Sequence, residues 1–551
     1  MSHKFALGFR GSGLPLNQPR LGGGRLVLCC KPGSGLRWGI ISSWVLSTVF
    51  VLLLPETATA HGFGQRYDLP IPLPFWVFGA GATILLSFAL VTVFARGTAG
   101  SFRYPRVNLF RWSVFQMLAH PAVLFAIRVG GVIALGAAVT AGFWGDPSPY
   151  KNLSPVLVWV IWWVGVVYVC ALIADLWTFV NPFRALFAWA ETIVARWLGG
   201  RRLSFERPYP EAMEMWPAVI GLVIFFWAEL LWPGGSVPKN LAIAITLYGL
   251  VTWVGMVIYG REIWLQNADP FSVVFGVFAR FAPLEMRVRS HDSGQHCHGY
   301  LCRYQSGSCV NGYVCLSKAS ADQIEWNLRP PAVGLLQERR VPVSMMVFVL
   351  ILLASVTFDG FLETPLWIDI LNRTLSDEIF FVGNMALILF PMIFCLVYLF
   401  FCWMMLRSAV LAGGHPSEWS AQSTLEVACT FILTLVPIAI AYHLAHYLSF
   451  LLITGQYLVP LISDPLGLGW DLFGTAEYRT NIGVLNAKAA WYAAVSSVVC
   501  GHVFAVYIAH VAAIRAFGNN RVALWSQIPM ITLMVVYTML SLWILAQPMV
   551  G

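Results

Sequence analysis

The sequence predicts an all-α fold: a polytopic transmembrane helix bundle of about ten mature spans, with a cytoplasmic Cys/His-rich loop. Three observations predict it. Of the 551 residues, 58% are hydrophobic and 11% are charged, with a mean hydropathy of +0.72; soluble chains carry about 25% charged residues. Apolar windows recur at 72–94, 120–143, 154–176, 215–232, 240–260, 341–358, 379–406, 426–453, 489–514 and 523–547, each close to the ~20 residues that cross a bilayer as a helix. The windows lack strand alternation, and a helix satisfies its own backbone in lipid. This composition excludes a water-soluble enzyme and a disordered chain. The basic residues stand singly beside the spans, which argues against nucleic-acid binding.

Residues 1–38 are Gly-rich and basic, 39–54 are apolar, and Ala58-Thr59-Ala60 follows. Basic region, apolar region and small-x-small site read as an export signal cleaved after Ala60. The basic region is long for a signal, as a misplaced start codon would make it. The signal holds six Lys/Arg against Glu56, so most of the net charge of +8 leaves with it. The expected divisions are a signal peptide at 1–60, five spans in 61–284, a cytoplasmic Cys/His-rich loop at 285–340, and five spans in 341–551. Cleavage makes His61 the new terminus, whose amine and imidazole suit Cu(II); the plainer reading is an exposed first residue.

Orientation follows from the loops. Arg96, Arg103, Arg106 and Arg111 lie between the first two spans, and Arg184, Arg196, Arg201, Arg202 and Arg207 between the third and fourth. The 261–340 loop holds nine Lys/Arg, whereas the 359–378 loop holds Asp359, Glu363, Asp369, Asp377 and Glu378. Basic loops in the cytoplasm give a multi-pass protein of the bacterial inner membrane with both mature termini outside. An echo runs through the first half. Asp175-Leu176-Trp177 leads to Asn181-Pro182-Phe183 and Phe187, and Glu262-Ile263-Trp264 leads to Asp269-Pro270-Phe271 and Phe275. Asn or Asp caps a helix and Pro suits its first turn, so each copy predicts an amphipathic helix lying along the inner surface. A duplicated transporter-like unit and two similar helix starts both explain the echo.

Four cysteines cluster in the 285–340 loop: Cys297, Cys302, Cys309 and Cys315, with His291, His296 and His298 beside them. Four thiolates suit a structural Zn or an Fe–S cluster, although C-x2-C pairs are absent; unligated thiols are the other reading. Disulfides fit a reducing cytosol less well. Cys170, Cys395, Cys402, Cys429 and Cys500 lie in spans as small apolar residues.

His443 and His446, three residues apart on one helix face, share a span, and the next span holds His502 and His510. Ionisable groups inside spans are costly and mark sites. At 1.5 Å per residue His443 and His502 fall roughly 15 and 20 Å below the outer surface, and His510 about 12 Å deeper than His502. His443, His446 and His502 are therefore a candidate set for Zn, Cu or Fe with one open position; a haem held by two histidines is the competitor, and separate hydrogen bonds to neighbouring helices the plain alternative. Asp464 and Asp471, in the outer loop above, could orient a ligand or position water, though Asp in such loops more often caps or turns the chain. Asp175 and Glu229 are candidate polar lining, and Arg128 is expected to pair with one of them. Walker, GxSxG, HExxH and GxGxxG motifs are absent.

The stretches His61-Gly62-Phe63-Gly64-Gln65-Arg66-Tyr67-Asp68-Leu69-Pro70-Ile71-Pro72, Trp326-Asn327-Leu328-Arg329-Pro330-Pro331, Tyr442 to Tyr447, and Asp464 to Thr475 resemble polytopic bacterial membrane proteins called fenitrothion hydrolases. The resemblance runs from residue 61 almost to the C-terminus. It implies a membrane-bound, metal-dependent phosphotriester hydrolase acting on an apolar organophosphorus ester, with a second membrane subunit as partner. It carries over no established catalytic residues. On this reading His443, His446 and His502 hold the ion, and Asp464 or Asp471 positions the water. A metal-handling transporter and a haem-binding redox subunit are the competing classes.

Overall fold

The computed structural model describes residues 71–547, apart from 95–103, 198, 290–302, 306–307, 312–315, 317–318, 321–322, 337–340, 416–418 and 420. Among the described residues ten helices are long and apolar enough to cross a membrane: Leu73–Val93, Pro121–Trp144, Leu153–Leu172, Glu211–Leu230, Pro238–Tyr259, Val343–Leu362, Ile379–Leu411, Thr424–Ser463, Ala487–Phe517 and Asn520–Leu545. The chain is a multi-pass membrane protein. Burial ranks the spans: the sixth and eighth each bury 78% of their apolar window, the second only 11%. Phe75, Val251 and Leu396 stay largely exposed, as side chains facing lipid do.

The central spans pack through small residues, since closeness rather than water exclusion drives helix association in lipid. Gly501 of the ninth span lies so near the eighth that a Cβ there would stand 2.3 Å from Ala441 Cβ and 2.6 Å from the Pro437 carbonyl. The eighth span is not uniform. A short 3-10 segment, Ile432–Leu435, precedes Pro437 and the helix Val436–Thr454. The third span contains a ten-residue π-helical stretch, Val156–Gly165, a rare geometry associated with functional positions.

The two echoed segments start their helices alike. Asn181 Oδ1 accepts the Arg184 backbone N–H at 3.0 Å, and Asp269 Oδ2 accepts that of Ser272 at 2.8 Å. They then diverge. Pro182–Trp197 buries Pro182, Phe183, Ala185 and Phe187 and exposes Thr192, Ile193 and Arg196, the two-faced helix expected. Pro270–Ala279 is buried almost throughout, against the Trp162, Phe225 and Tyr248 rings. The expectation of a second surface helix is corrected: this segment has no polar stripe, so nothing favours leaving a face in water.

The 285–340 segment is more than a loop. It supplies three strands and most of a fourth to a five-stranded antiparallel sheet of order β1-β5-β2-β4-β3, comprising β1 (Val107–Asn108), β2 (Leu284–Arg289), β3 (Arg303–Gln305), β4 (Ser308–Val310) and β5 (Ile324–Leu328). β1 comes from the loop between the first two spans and pairs with β5. One face of the sheet organises around buried charge. Glu285 accepts hydrogen bonds from Arg329 (2.8 Å), Arg287 (3.1 Å) and Tyr104 (2.5 Å), and Glu285, Arg287 and Arg329 are all buried. Burial pushes the Glu285 carboxyl up, but the Arg329 and Arg287 guanidiniums outweigh it and hold it below its ordinary value. Arg329 also donates to the Ala282 and Arg280 carbonyls, so the Trp326–Pro331 motif clamps the sheet. Trp326 packs on Phe110 and Phe179, apolar contacts borrowed from other loops.

Candidate functional site

Three spans bring ionisable side chains together away from the basic loops. The sixth contributes Asp359, the eighth His446 and Tyr447, and the fourth Glu229. His446 Nε2 lies 2.9 Å from Asp359 Oδ2. The Tyr447 hydroxyl donates to the same oxygen at 2.6 Å and reaches Glu229 Oε1 at 3.4 Å. Each element positions its group for a local reason. Asp359 falls in the last turn of the helix Val343–Leu362, one residue before Gly360. A Cβ at Gly360 would stand 3.2 Å from the Tyr442 hydroxyl and 3.7 Å from His446 Cε1, so this glycine lets the eighth span approach. Positions 443, 446 and 447 repeat at helical spacing and turn toward the sixth, third and fourth spans.

The pair is not sealed. The side chains of His446 and Asp359 are 18% and 21% exposed. With Nε2–H donated to the carboxylate, His446 Nδ1 carries the free lone pair, and no described residue bonds it. A carboxylate that fixes one imidazole nitrogen and leaves the other available is the arrangement of a proton acceptor. Glu363, one turn beyond Asp359, adds a third carboxyl at the mouth; burial pushes it above its ordinary value, and the Asp359 charge pushes the same way.

His443 stands apart from this pair on the same helix. Its ring sits among Trp163 (5.7 Å), Tyr168 (6.2 Å), Phe278 (6.3 Å) and Tyr447 (4.7 Å), and its buried Nε2 has no hydrogen-bond partner. His502 turns its Nδ1 onto the Val498 carbonyl of its own helix at 2.8 Å and its ring toward Tyr537 of the tenth span. The reason is angular. Gly501 faces Pro437 and Ala441, and the next residue is rotated about 100° around the helix, off the seam with the eighth span. His510 meets Gln527. Among the described residues no three His, Cys, Asp or Glu side chains form a group that could hold a metal ion. His443, His446 and His502, expected to share an ion, thus make separate contacts here.

Asp464 and Asp471 shape their own loop. Asp464 accepts the Leu468 and Gly469 backbone N–H groups at 2.9 and 2.7 Å. Asp471 accepts the Ser463 hydroxyl at 2.8 Å and the Ala476 N–H at 3.0 Å; these bonds hold its carboxyl below its ordinary value. Neither bonds a histidine, and both make the turn contacts that Asp commonly makes in such loops.

Cys309 lies buried in β4, opposite Val288 of β2, and is disulfide-bonded. A disulfide sulfur is no thiolate ligand, so Cys309 departs from the metal reading and from the expectation that disulfides suit this loop less well. Cys297, Cys302, Cys315 and His61 lie outside the described residues. Asp175 lies beyond the third span and caps the Thr178 N–H at 3.1 Å; burial pushes its carboxyl up. Arg128 pairs with neither Asp175 nor Glu229. It lines a pocket with Arg184 and Arg261.

Sequence reasoning missed Asp359 as a partner of His446. The apolar window ended at residue 358, so Asp359 read as a loop acid. One more helical turn would have set it level with Glu229 and His446. The chain matches no protein-family model, and no curated protein or solved structure shows significant similarity to it.

Proposed function

We propose that Asp359, His446, Tyr447 and Glu229 form a proton-transfer site within the bundle, with His446 Nδ1 as the proton acceptor. The observation that carries this reading is the 2.9 Å contact between His446 Nε2 and Asp359 Oδ2, which orients the ring and stabilises the imidazolium that forms when Nδ1 takes a proton. With the basic loops read as cytoplasmic, the proposed site lies beneath the periplasmic face of a bacterial inner membrane.

The resemblance to fenitrothion hydrolases gives this site a substrate class, neutral apolar phosphotriesters, which reach a membrane interior by partition. In that use His446 takes a proton from water as its oxygen attacks phosphorus. The P–O(aryl) bond breaks and a nitrophenolate leaves. The test is nitrophenol release from a chromogenic phosphotriester by the full chain in proteoliposomes. General-base catalysis contributes about 10²–10⁴-fold, so His446→Ala should lose that much and Asp359→Asn a large part of it. Equal release by wild type and His446→Ala would overturn the assignment.

A second reading, proton-coupled transport, is favoured by Tyr447 bridging carboxylates from two different spans. Proton movement across vesicles, read by an enclosed pH dye, with no ester hydrolysis selects it over the hydrolase. A second membrane subunit belongs to the hydrolase reading and would co-purify with the chain.

A further inference from the structure

A second polar site lies on the opposite, basic-loop side of the bundle. Arg128 of the second span, Arg184 of the helix Pro182–Trp197 and Arg261 border one cavity with Thr178 and Asn181, of about 60 Å³. Two of the guanidiniums are matched. Glu262 takes both Arg184 (2.9 Å) and Arg261 (2.9 Å), and Glu191 takes Arg261 at 2.6 Å. Among the described residues, ion pairs in this cluster run to two carboxylates, Glu262 and Glu191, beside three guanidiniums. The one left over is Arg128, for which no described residue offers a hydrogen bond or ion pair. It stands two turns inside a membrane span, where an uncompensated charge is costly.

Independently, Asn181 lines the same cavity. It is 2% exposed, and its Nδ2 amide, a double donor, has no acceptor. Its Oδ1 is occupied by capping the helix, so the amide hydrogens are what it offers. The helix start itself adds a partial positive charge. A spare guanidinium, an orphan buried amide donor and a helix N-terminus all call for one thing, a compact acceptor with negative charge. Arg binds phosphate oxygens bidentately, which favours that anion over chloride.

We propose that this cavity binds a phosphate-bearing anion, with Arg128 and the Asn181 amide as its donors. A lipid headgroup phosphate and free inorganic phosphate present the same oxygens, and the test separates them. Full-length protein in neutral maltoside detergent is melted with increasing inorganic phosphate against sodium chloride of equal ionic strength. A parallel series adds phosphatidylglycerol, against an uncharged glycosyl diacylglycerol. A saturable rise in melting temperature with phosphate assigns a soluble anion; a rise only with phosphatidylglycerol assigns a headgroup. Arg128→Gln should weaken the responding ligand at least tenfold, and Arg128→Lys should weaken it less. No rise in either series, or equal titration of wild type and Arg128→Gln, overturns the proposal. The wild-type series decide it even if the variants fail to fold.

Discussion

Replacing Gly501 by alanine tests how the two most informative spans are held together. The added Cβ would lie 2.3 Å from Ala441 Cβ and 2.6 Å from the Pro437 carbonyl oxygen. Carbon atoms rest at about 3.5–4.0 Å, so the first contact is roughly 1.5 Å too short. Neither neighbour is the end of a flexible side chain, so the eighth and ninth spans must part. Overpacking costs about 1–3 kcal/mol, and two rigid clashes put this change at or above the upper end. Alanine returns about 1 kcal/mol through helix propensity. The net expectation is a loss of about 2 kcal/mol. The assay is reversible sodium dodecyl sulfate titration in mixed micelles. Gly136→Ala is the control, because nothing lies within 4 Å of that position and only the propensity gain of up to ~1 kcal/mol remains. Adding Ala441→Gly to Gly501→Ala removes the shorter clash and leaves the carbonyl one, so it should recover part of the loss. A Gly501→Ala protein as stable as wild type would refute the close-packed seam and, with it, the azimuth argument for His502.

Other outcomes follow from the polar groups. Glu285→Gln removes the carboxylate that Arg287 and Arg329 both bond in a buried sheet and should cost about 3–5 kcal/mol. The folded Glu285 lies below its ordinary value of 4.5, so its contribution is complete above that value and is lost as pH falls through the depressed one; a stability–pH curve should show an acid limb in wild type that the variant lacks. Tyr447→Phe removes the hydroxyl shared by Asp359 and Glu229 but keeps the dyad, so its activity should fall less than that of His446→Ala in the same vesicles. Ser423 and Glu426 form a capping box at the start of the eighth span, and Ser423→Ala should lower stability by about 1 kcal/mol, measured by the same detergent titration.

The spans were legible because hydropathy alone defines them. Each expected window overlaps its helix; the largest misplacement is at the eighth, expected to end at 453 where the span runs to Ser463, and the sixth, expected to end at 358, runs to Leu362. Depth was legible too, since rise per residue is fixed; His446, Glu229 and Asp359 do share a level. Azimuth was not, because it depends on which small residue fills each seam. Gly501 decides where His502 points, and nothing in the one-dimensional pattern marks it among 47 glycines. The sheet was hidden for another reason. Its partners are two loops far apart in sequence, and its inner face carries Glu285, Arg287, Glu325 and Asn327, whose alternation mimics a solvated strand. The burial of Pro270–Ala279 was masked by a start signal shared with a surface helix.

The pairing of Val107 with Leu328 has a consequence for biogenesis. The first strand leaves the ribosome early, and four further spans must be threaded into the membrane before its partner exists. At roughly 5–20 residues per second that is a wait of some ten to forty seconds. Any factor that holds this stretch during insertion would have to let go only after the fifth strand emerges.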